Sequence, residues 1–169
     1  AVGRDVKQFK PGDEAFGSAP GSFAEFVCAR QYRLVLKPSN VTFEEAAAVP
    51  VAATTALQGL RDKGKIQAGQ KVLINGASGG VGTFAVQIAK SFGAEVTAVC
   101  STGKLDMVRS IGADHVIDYT QEDFTKKGQR YDLILDVAAY RSIFDYQHAL
   151  SPKGIYVMVG GSMAALSQA

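Results

Sequence analysis

The chain has only two cysteines, Cys28 and Cys100, set far apart in its 169 residues. They exclude a disulfide framework and a Cys-x-x-Cys metal knuckle, and with them the small scaffolds that depend on either. Charge of one sign is also missing: 18 Lys and Arg stand against 16 Asp and Glu, a formal net charge of +2. Apart from Lys126-Lys127 and Arg130 the basic residues are scattered, so no stripe exists to track a phosphate backbone, and no nucleic-acid partner is expected. No apolar run approaches the ~18 residues of a membrane span, and the opening residues lack the charged-then-apolar pattern of a secretory signal. These absences lead us to expect a reducing, cytoplasmic setting and no membrane partner. An initiator Met is lacking too. Ala1-Val2-Gly3-Arg4-Asp5-Val6 reads as mid-domain, and the residues from Gly161 to Ala169 read as the opening of an element, so the expectation is a fragment of a longer protein.

What the chain does have is apolar material, 47% of its residues, enough for one domain with a core and a smaller piece beside it. The composition changes near residue 40. Before it come Gly, Pro and short apolar runs: a turn at Lys10-Pro11-Gly12-Asp13 and expected strands over residues 22–29 and 33–36, the close of an antiparallel β domain. After it, Thr42 and Glu45 form a capping box ahead of Ala46-Ala47-Ala48, which predicts a short helix ended before Pro50 and a second over residues 51–61. Strands and helices then alternate. Strands are expected at residues 71–74, 95–99, 115–117, 131–135 and 155–159. Helices are expected at residues 81–92, 105–111, 122–127 (polar and weak) and 142–150. Apolar strands each followed by a helix define an α/β fold, a doubly wound parallel sheet with helices on both faces.

The most informative motif follows the first of these strands: Gly76-Ala77-Ser78-Gly79-Gly80-Val81-Gly82. A tight turn, a close backbone approach to a pyrophosphate and close helix–strand packing each favour a residue without a side chain. The helix start then presents its N–H groups and positive dipole end to the anion. A Gly-rich turn is common, but here it stands between an expected strand and an expected helix, the setting a Rossmann-type dinucleotide site requires. No GxxxxGK[ST] loop is present, which disfavours phosphoryl transfer. The second strand ends Val99-Cys100-Ser101-Thr102-Gly103-Lys104 with no carboxylate to accept from ribose hydroxyls. A Lys and two hydroxyls suit a 2′-phosphate instead, so NADP(H) is expected over NAD(H).

On these residues the chain resembles the medium-chain dehydrogenase/reductase superfamily, and within it the zinc-free quinone oxidoreductase (zeta-crystallin-like) branch. The matching stretches are residues 9–13, 21–26, 44–60, 75–82, 112–119 and 154–161. The resemblance implies that residues 1–40 are the tail of a GroES-like catalytic domain. Residues 41–169 would be a Rossmann-type NADP-binding domain holding five of its six strands, with the strand at 155–159 left as an edge. It implies that Ser78, Gly79, Gly80 and Val81 line the pyrophosphate, and that Lys104, Tyr119 and Ser101 serve the 2′-phosphate. Thr55, Val137, Val159 and Gly160 would lie toward the nicotinamide. Three have a plainer alternative: Tyr119 can be simple packing, Lys104 a solvated residue, and a helical Thr such as Thr55 often bonds its own backbone.

Zinc-dependent relatives carry a four-cysteine lobe after the Gly-Asp turn, where this chain has only Ser18-Ala19-Pro20-Gly21. They also place a ligand four residues before the nicotinamide threonine, where this chain has Val51, which cannot bind a metal. His115 and His148 are isolated. No metal is therefore expected, and without a Lewis acid the hydride acceptor must already be electrophilic, a quinone or an activated α,β-unsaturated carbonyl. No catalytic side chain is identifiable in the chain. The readings that compete are a non-catalytic NADPH-binding structural or RNA-binding protein and an alcohol dehydrogenase. Short-chain dehydrogenases are excluded because none of the six tyrosines has Lys four residues later. The resemblance also implies a homodimer for the full-length protein, and an inactive fragment.

Overall fold

The structure, a computed structural model, describes residues 1–161. Its two compact units part between Thr54 and Thr55, and each is described by itself.

In the first unit β1 (Ala15–Gly17) pairs antiparallel with β2 (Leu34–Leu36). The turn before β1 is closed by Asp13, whose carboxylate accepts the Lys10 N–H at 2.8 Å, with Gly12 at φ +94°. The strand expected over residues 22–29 does not form. An alternating pattern marks a face, but a strand also needs a neighbour for its N–H and C=O groups, and this segment pairs with none among the described residues. Phe23 and Phe26 are accordingly exposed.

The next element corrects the sequence reading again. Helix α1 (Phe43–Leu57) runs through Pro50 without a break. It opens on the expected capping box: Thr42 N–H donates to Glu45 Oε2 at 2.8 Å and Glu45 N–H donates to Thr42 Oγ1 at 3.2 Å. Proline removes one intrahelical bond, but the alanines on both sides are the strongest helix formers and carry the helix past it. A π-helical turn, Gln58–Lys63, then closes at Gly64, whose N–H donates to the Gly59 carbonyl at 2.8 Å.

The second unit is a parallel sheet of β3 (Lys71–Asn75), β4 (Glu95–Cys100), β5 (His115–Asp118), β6 (Tyr131–Asp136) and β7 (Leu150–Met158). The order is β5-β4-β3-β6-β7. Helices α2 (Gly80–Ser91), α3 (Leu105–Ser110) and α4 (Ile143–Ala149) connect the strands. Side chains alternate between faces, as the strand geometry requires. Val72, Ile74, Val96, Ala98, Leu133 and Leu135 pack with Ala85, Val86 and Ala89 of α2 and Val108 of α3. Leu73, Val99 and Ile134 pack on the other face with Phe124 and with Tyr146 and Ala149 of α4. Two buried faces explain why these strands read as continuous apolar runs.

The polar helix expected over residues 122–127 contracts to one 3-10 turn, Phe124–Lys126, capped by Asp123. It is too short and too polar to nucleate an α-helix. Strand β7 starts at Leu150 rather than at residue 155, through an irregular register opposite Tyr131 and Leu133. Its only neighbour among the described residues is β6, which leaves it an outer strand, as expected.

Candidate functional site

The strand order reverses between β3 and β6. Connections from these two strands leave in opposite directions, and a crevice opens beyond their C-terminal ends. The glycine turn occupies that position. Gly76 has φ +81°, and a Cβ there would lie 2.8 Å from the Ala138 Cβ. A Cβ on Gly82 would lie 2.2 Å from the Gly76 carbonyl oxygen and 2.7 Å from the Ala77 backbone. Both glycines are therefore required by the turn itself. Gly80 is not: a Cβ there would meet nothing within 4 Å. Gly79 and Gly80 are exposed, and Ser78 and Val81 are half-buried. The first N–H to bond back along α2 is that of Thr83, to the Gly79 carbonyl at 2.9 Å. The amides ahead of it point out of the helix N-terminus, where an anion is favoured. This bare, open cradle fits a pyrophosphate.

The other expected residues, Thr55 in α1 apart, fall along the same edge of the sheet. Val137 follows β6, and its N–H donates to the Asn75 carbonyl at 3.0 Å. Val159 and Gly160 follow β7, both donating to the Asp136 carbonyl, and a Cβ on Gly160 would sit 3.1 Å from the Val137 oxygen. Ser101 and Lys104 bracket a 3-10 turn after β4, closed by Lys104 N–H donating to Ser101 O at 2.9 Å. Tyr119 follows β5, its N–H donating to the Cys100 carbonyl at 3.2 Å. Lys104 is exposed and forms no ion pair among the described residues. Thr55 lies one helical turn before Gly59, where a Cβ would strike Leu135 at 2.7 Å.

Three groups escaped the sequence reading. The first is Asp118 at the end of β5. It stands beside Cys100 in register, so a carboxylate reaches the end of β4 from the neighbouring strand. Its acceptors are occupied: Thr102 Oγ1 donates at 2.5 Å, and the N–H and hydroxyl of Thr120 donate at 3.0 and 2.7 Å. The Thr102 hydroxyl holds Asp118 below the ordinary carboxylate value, against burial, with Thr120 adding to the effect. The Thr102 proton is thus committed to Asp118, which leaves Ser101 and Lys104 as the other polar side chains at the end of β4.

The second group lies beneath the turn. Asp136, fully buried, accepts from Asn75 Nδ2 at 2.8 Å and from the Tyr156 hydroxyl at 2.8 Å. Asn75 Nδ2 also reaches the Ala138 carbonyl at 3.2 Å and Tyr146 Oη at 3.3 Å. Burial, and then the Asp136 carboxylate, push both tyrosine hydroxyls far above their ordinary value. This network ties the ends of β3, β6 and β7 together under the crevice. Polar residues closing two apolar strands, Asn75 and Asp136, were its signal in the sequence. The third group, Tyr140, Arg141 and Asp123, edges the crevice itself and had no such signal.

A parallel sheet, a switch-point crevice and a glycine cradle define a Rossmann-type dinucleotide-binding domain. Comparison with known proteins agrees. Residues 80–168 match a family described as zinc-binding dehydrogenase. The chain is 42% identical over 147 residues to 2-methylene-furan-3-one reductase of Solanum lycopersicum, covering 80% of this chain and 38% of that protein. It is 43% identical over 145 residues to the mitochondrial NAD(P)H oxidoreductase RTN4IP1 of Mus musculus, covering 79% and 37%. The crystal structure of CurK enoyl reductase superposes with a TM-score of 0.87 at 36% identity, covering 94% of this chain and 50% of that one. The chain belongs to the zinc-binding dehydrogenase family, within the medium-chain dehydrogenase/reductase superfamily. It spans well under half the length of the curated relatives it matches.

The family description names zinc. Among the described residues no three His, Cys, Asp or Glu side chains gather as a ligand set. His115 instead meets Glu95 at 3.0 Å on the surface. The described residues do not fit a zinc centre. No helix among them is long and apolar enough to cross a membrane.

Proposed function

We propose that this chain is the cofactor-binding part of a reductase that passes hydride from NADPH to a quinone or an activated α,β-unsaturated carbonyl, without zinc. One observation carries the reading: Gly76 and Gly82 are glycines because the turn demands it, whereas Gly80 has no intramolecular reason to lack a side chain. A surface kept bare above a helix N-terminus serves the approach of an anionic ligand. Lys104 and Ser101 at the end of β4 favour the 2′-phosphate of NADPH, while the acceptor sites of Asp118 are taken by its two threonines. Relatives named 2-methylene-furan-3-one reductase, NADPH-dependent alkenal/one oxidoreductase and quinone oxidoreductase homolog support the substrate class.

In this reading the nicotinamide supplies the hydride when bound. The protein's part is to hold it. The cradle fixes the pyrophosphate, Ser101, Lys104 and Tyr119 receive the adenosine end, and Val137, Val159, Gly160 and Thr55 shape the nicotinamide end. Val51 in place of a ligand supports zinc-free chemistry, because a reactive alkene or quinone needs no Lewis acid to accept hydride. Residues 1–40 serve as the tail of the substrate-binding domain and residues 41–169 as the cofactor domain. The complete protein is a homodimer and works in a reducing compartment. That compartment is the cytoplasm in this proposal; relatives bear mitochondrial and chloroplastic names.

The test is NADPH oxidation by the complete protein against a panel of quinones and enones, with metal analysis of the same sample. Turnover of an enone or quinone without stoichiometric zinc is expected. Tight NADPH binding with no turnover of any acceptor would favour a non-catalytic binder, and bound zinc with alcohol oxidation would favour an alcohol dehydrogenase.

A further inference from the structure

Asp136, the last residue of β6, is a carboxylate without a countercharge. It is fully buried, and no Lys, Arg or His pairs with it among the described residues. Its side-chain partners are neutral: Asn75 Nδ2 donates to Oδ1 and the Tyr156 hydroxyl to Oδ2, each at 2.8 Å. Neutral donors hold a carboxylate in place but leave its charge uncancelled, and burying such a charge lowers stability. The hydrogen bonds themselves do not call for it. An asparagine here would accept from Asn75 through Oδ1 and donate through Nδ2 to the Tyr156 oxygen, because a hydroxyl serves as donor or acceptor. The negative charge is therefore a separate feature with its own cost.

Its location suggests what it does. The Asp136 carbonyl accepts the Val159 N–H at 2.8 Å and the Gly160 N–H at 3.4 Å. The next residue, Val137, donates to the Asn75 carbonyl at 3.0 Å, and Asn75 Nδ2 reaches the Ala138 carbonyl at 3.2 Å. Ala139 N–H closes the far side on the Gly160 carbonyl at 2.9 Å. The segments leaving β6 and β7 are thus built around Asp136 and its partner in register, Asn75. Val137, Val159 and Gly160 are the residues that the cofactor reading gives to the nicotinamide end. The charge sits behind that wall, on the opposite side of β3 from the ends of β4 and β5. Fully buried, it touches no ligand and acts only through its field.

We propose that Asp136 sets the redox preference of the cofactor end: its buried, uncompensated charge favours NADP+ over NADPH and makes bound NADPH a stronger hydride donor. The assignment rests on the dinucleotide reading above. The nicotinamide ring is neutral in NADPH and positive in NADP+, so a fixed negative charge behind the wall discriminates between the two forms. For scale, unit charges about 10 Å apart at an effective dielectric of about 20 shift an equilibrium by roughly tenfold. For a two-electron couple that is about 30 mV.

The experiment measures Kd in the complete protein for NADP+, NADPH and 2′,5′-ADP, which has no nicotinamide. Asp136→Asn keeps both hydrogen bonds, with the sense of the one to Tyr156 reversed, and removes the charge. It should weaken NADP+ relative to NADPH about tenfold, raise the potential of the bound couple by about 30 mV, and leave 2′,5′-ADP unmoved. Tyr156→Phe deletes a bond to the same carboxylate but keeps its charge, and should leave the ratio of the NADP+ and NADPH constants unchanged. A merely structural Asp136 would weaken both forms alike in Asp136→Asn, or shift the ratio in Tyr156→Phe as well. Either result would overturn the assignment while leaving the cofactor reading intact. If Asp136→Asn does not fold, Tyr156→Phe decides alone: an unchanged ratio supports the assignment, and a ratio moved toward NADPH overturns it. Failure of the unsubstituted protein to bind either form would overturn the cofactor reading, and this assignment with it.

Discussion

Substituting Gly80 by alanine separates what the turn needs for itself from what it keeps clear for a ligand. Gly80 is the first residue of α2, and its φ lies outside the left-handed region. A methyl group there meets no atom within 4 Å. With a compatible backbone and open space, Gly→Ala should stabilise the fold by about 0.4–1 kcal/mol, mainly by restricting the unfolded chain. For a domain of this size that is a rise in Tm of about 1–4 °C. The same methyl stands over the exposed amides of the helix N-terminus and should weaken NADPH at least tenfold, about 1.4 kcal/mol. The neighbouring control behaves differently. At Gly82 the methyl would press on backbone at 2.2 and 2.7 Å, so Gly82→Ala must push α2 from its turn and should cost about 1–3 kcal/mol of stability. Differential scanning calorimetry and an NADPH titration on each variant read both quantities. A Gly80→Ala protein that is as stable as the parent or more so, and binds NADPH equally well, would refute the claim that this position is bare for a pyrophosphate.

Other outcomes follow from the same structure. Lys104→Ala should weaken NADPH about tenfold and leave NADH unchanged, since the exposed Lys104 forms no ion pair among the described residues and so has none to lose; equal losses for both cofactors would argue against a 2′-phosphate contact. Tyr156→Phe removes a donor from the fully buried Asp136 and should cost about 1–3 kcal/mol in urea denaturation, with Asn75→Leu costing more because it also strips the Ala138 carbonyl; an unchanged midpoint would contradict the network's role. Asp118 is held below its ordinary value, first by Thr102, so its stabilising contribution is full above the unfolded carboxylate value near 3.9 and is lost as pH falls through the lower folded value. Asp118→Asn should therefore lower stability at pH 7 and flatten the acid limb below about pH 4, and an acid limb identical to the parent's would count against it.

The second unit was legible in the sequence because its strands are buried on both faces. Runs such as Val72-Leu73-Ile74 and Leu133-Ile134-Leu135 cannot be mistaken for half-exposed strands, and the glycines between β3 and α2 fix the turn chemically. The first unit was less legible. Residues 22–29 carry a strand-like alternation, but a strand is a relation between two segments, and no partner among the described residues takes it up. Pro50 misled for a related reason: a local rule ended the helix where the alanines around it sustain one. At the site, the glycine turn was legible because its residues are contiguous and stand between a strand and a helix. What was missed arrives from a neighbouring strand or loop. Asp118 reaches the end of β4 only through the β4–β5 register, and Arg141 meets Asp123 only because the loops after β5 and β6 face each other. The sequence reading that the second strand ends without a carboxylate holds for the end of β4, and the structure adds the carboxylate next door together with the threonines that occupy it.

On this proposal the glycine cradle and the end of β4 together select NADPH. Parallel calorimetric titrations of the complete protein with NADPH and NADH test it most directly. Both should bind at one site, with NADPH at least tenfold the tighter and that preference abolished by Lys104→Ala. A preference for NADH, or no binding of either, would contradict it.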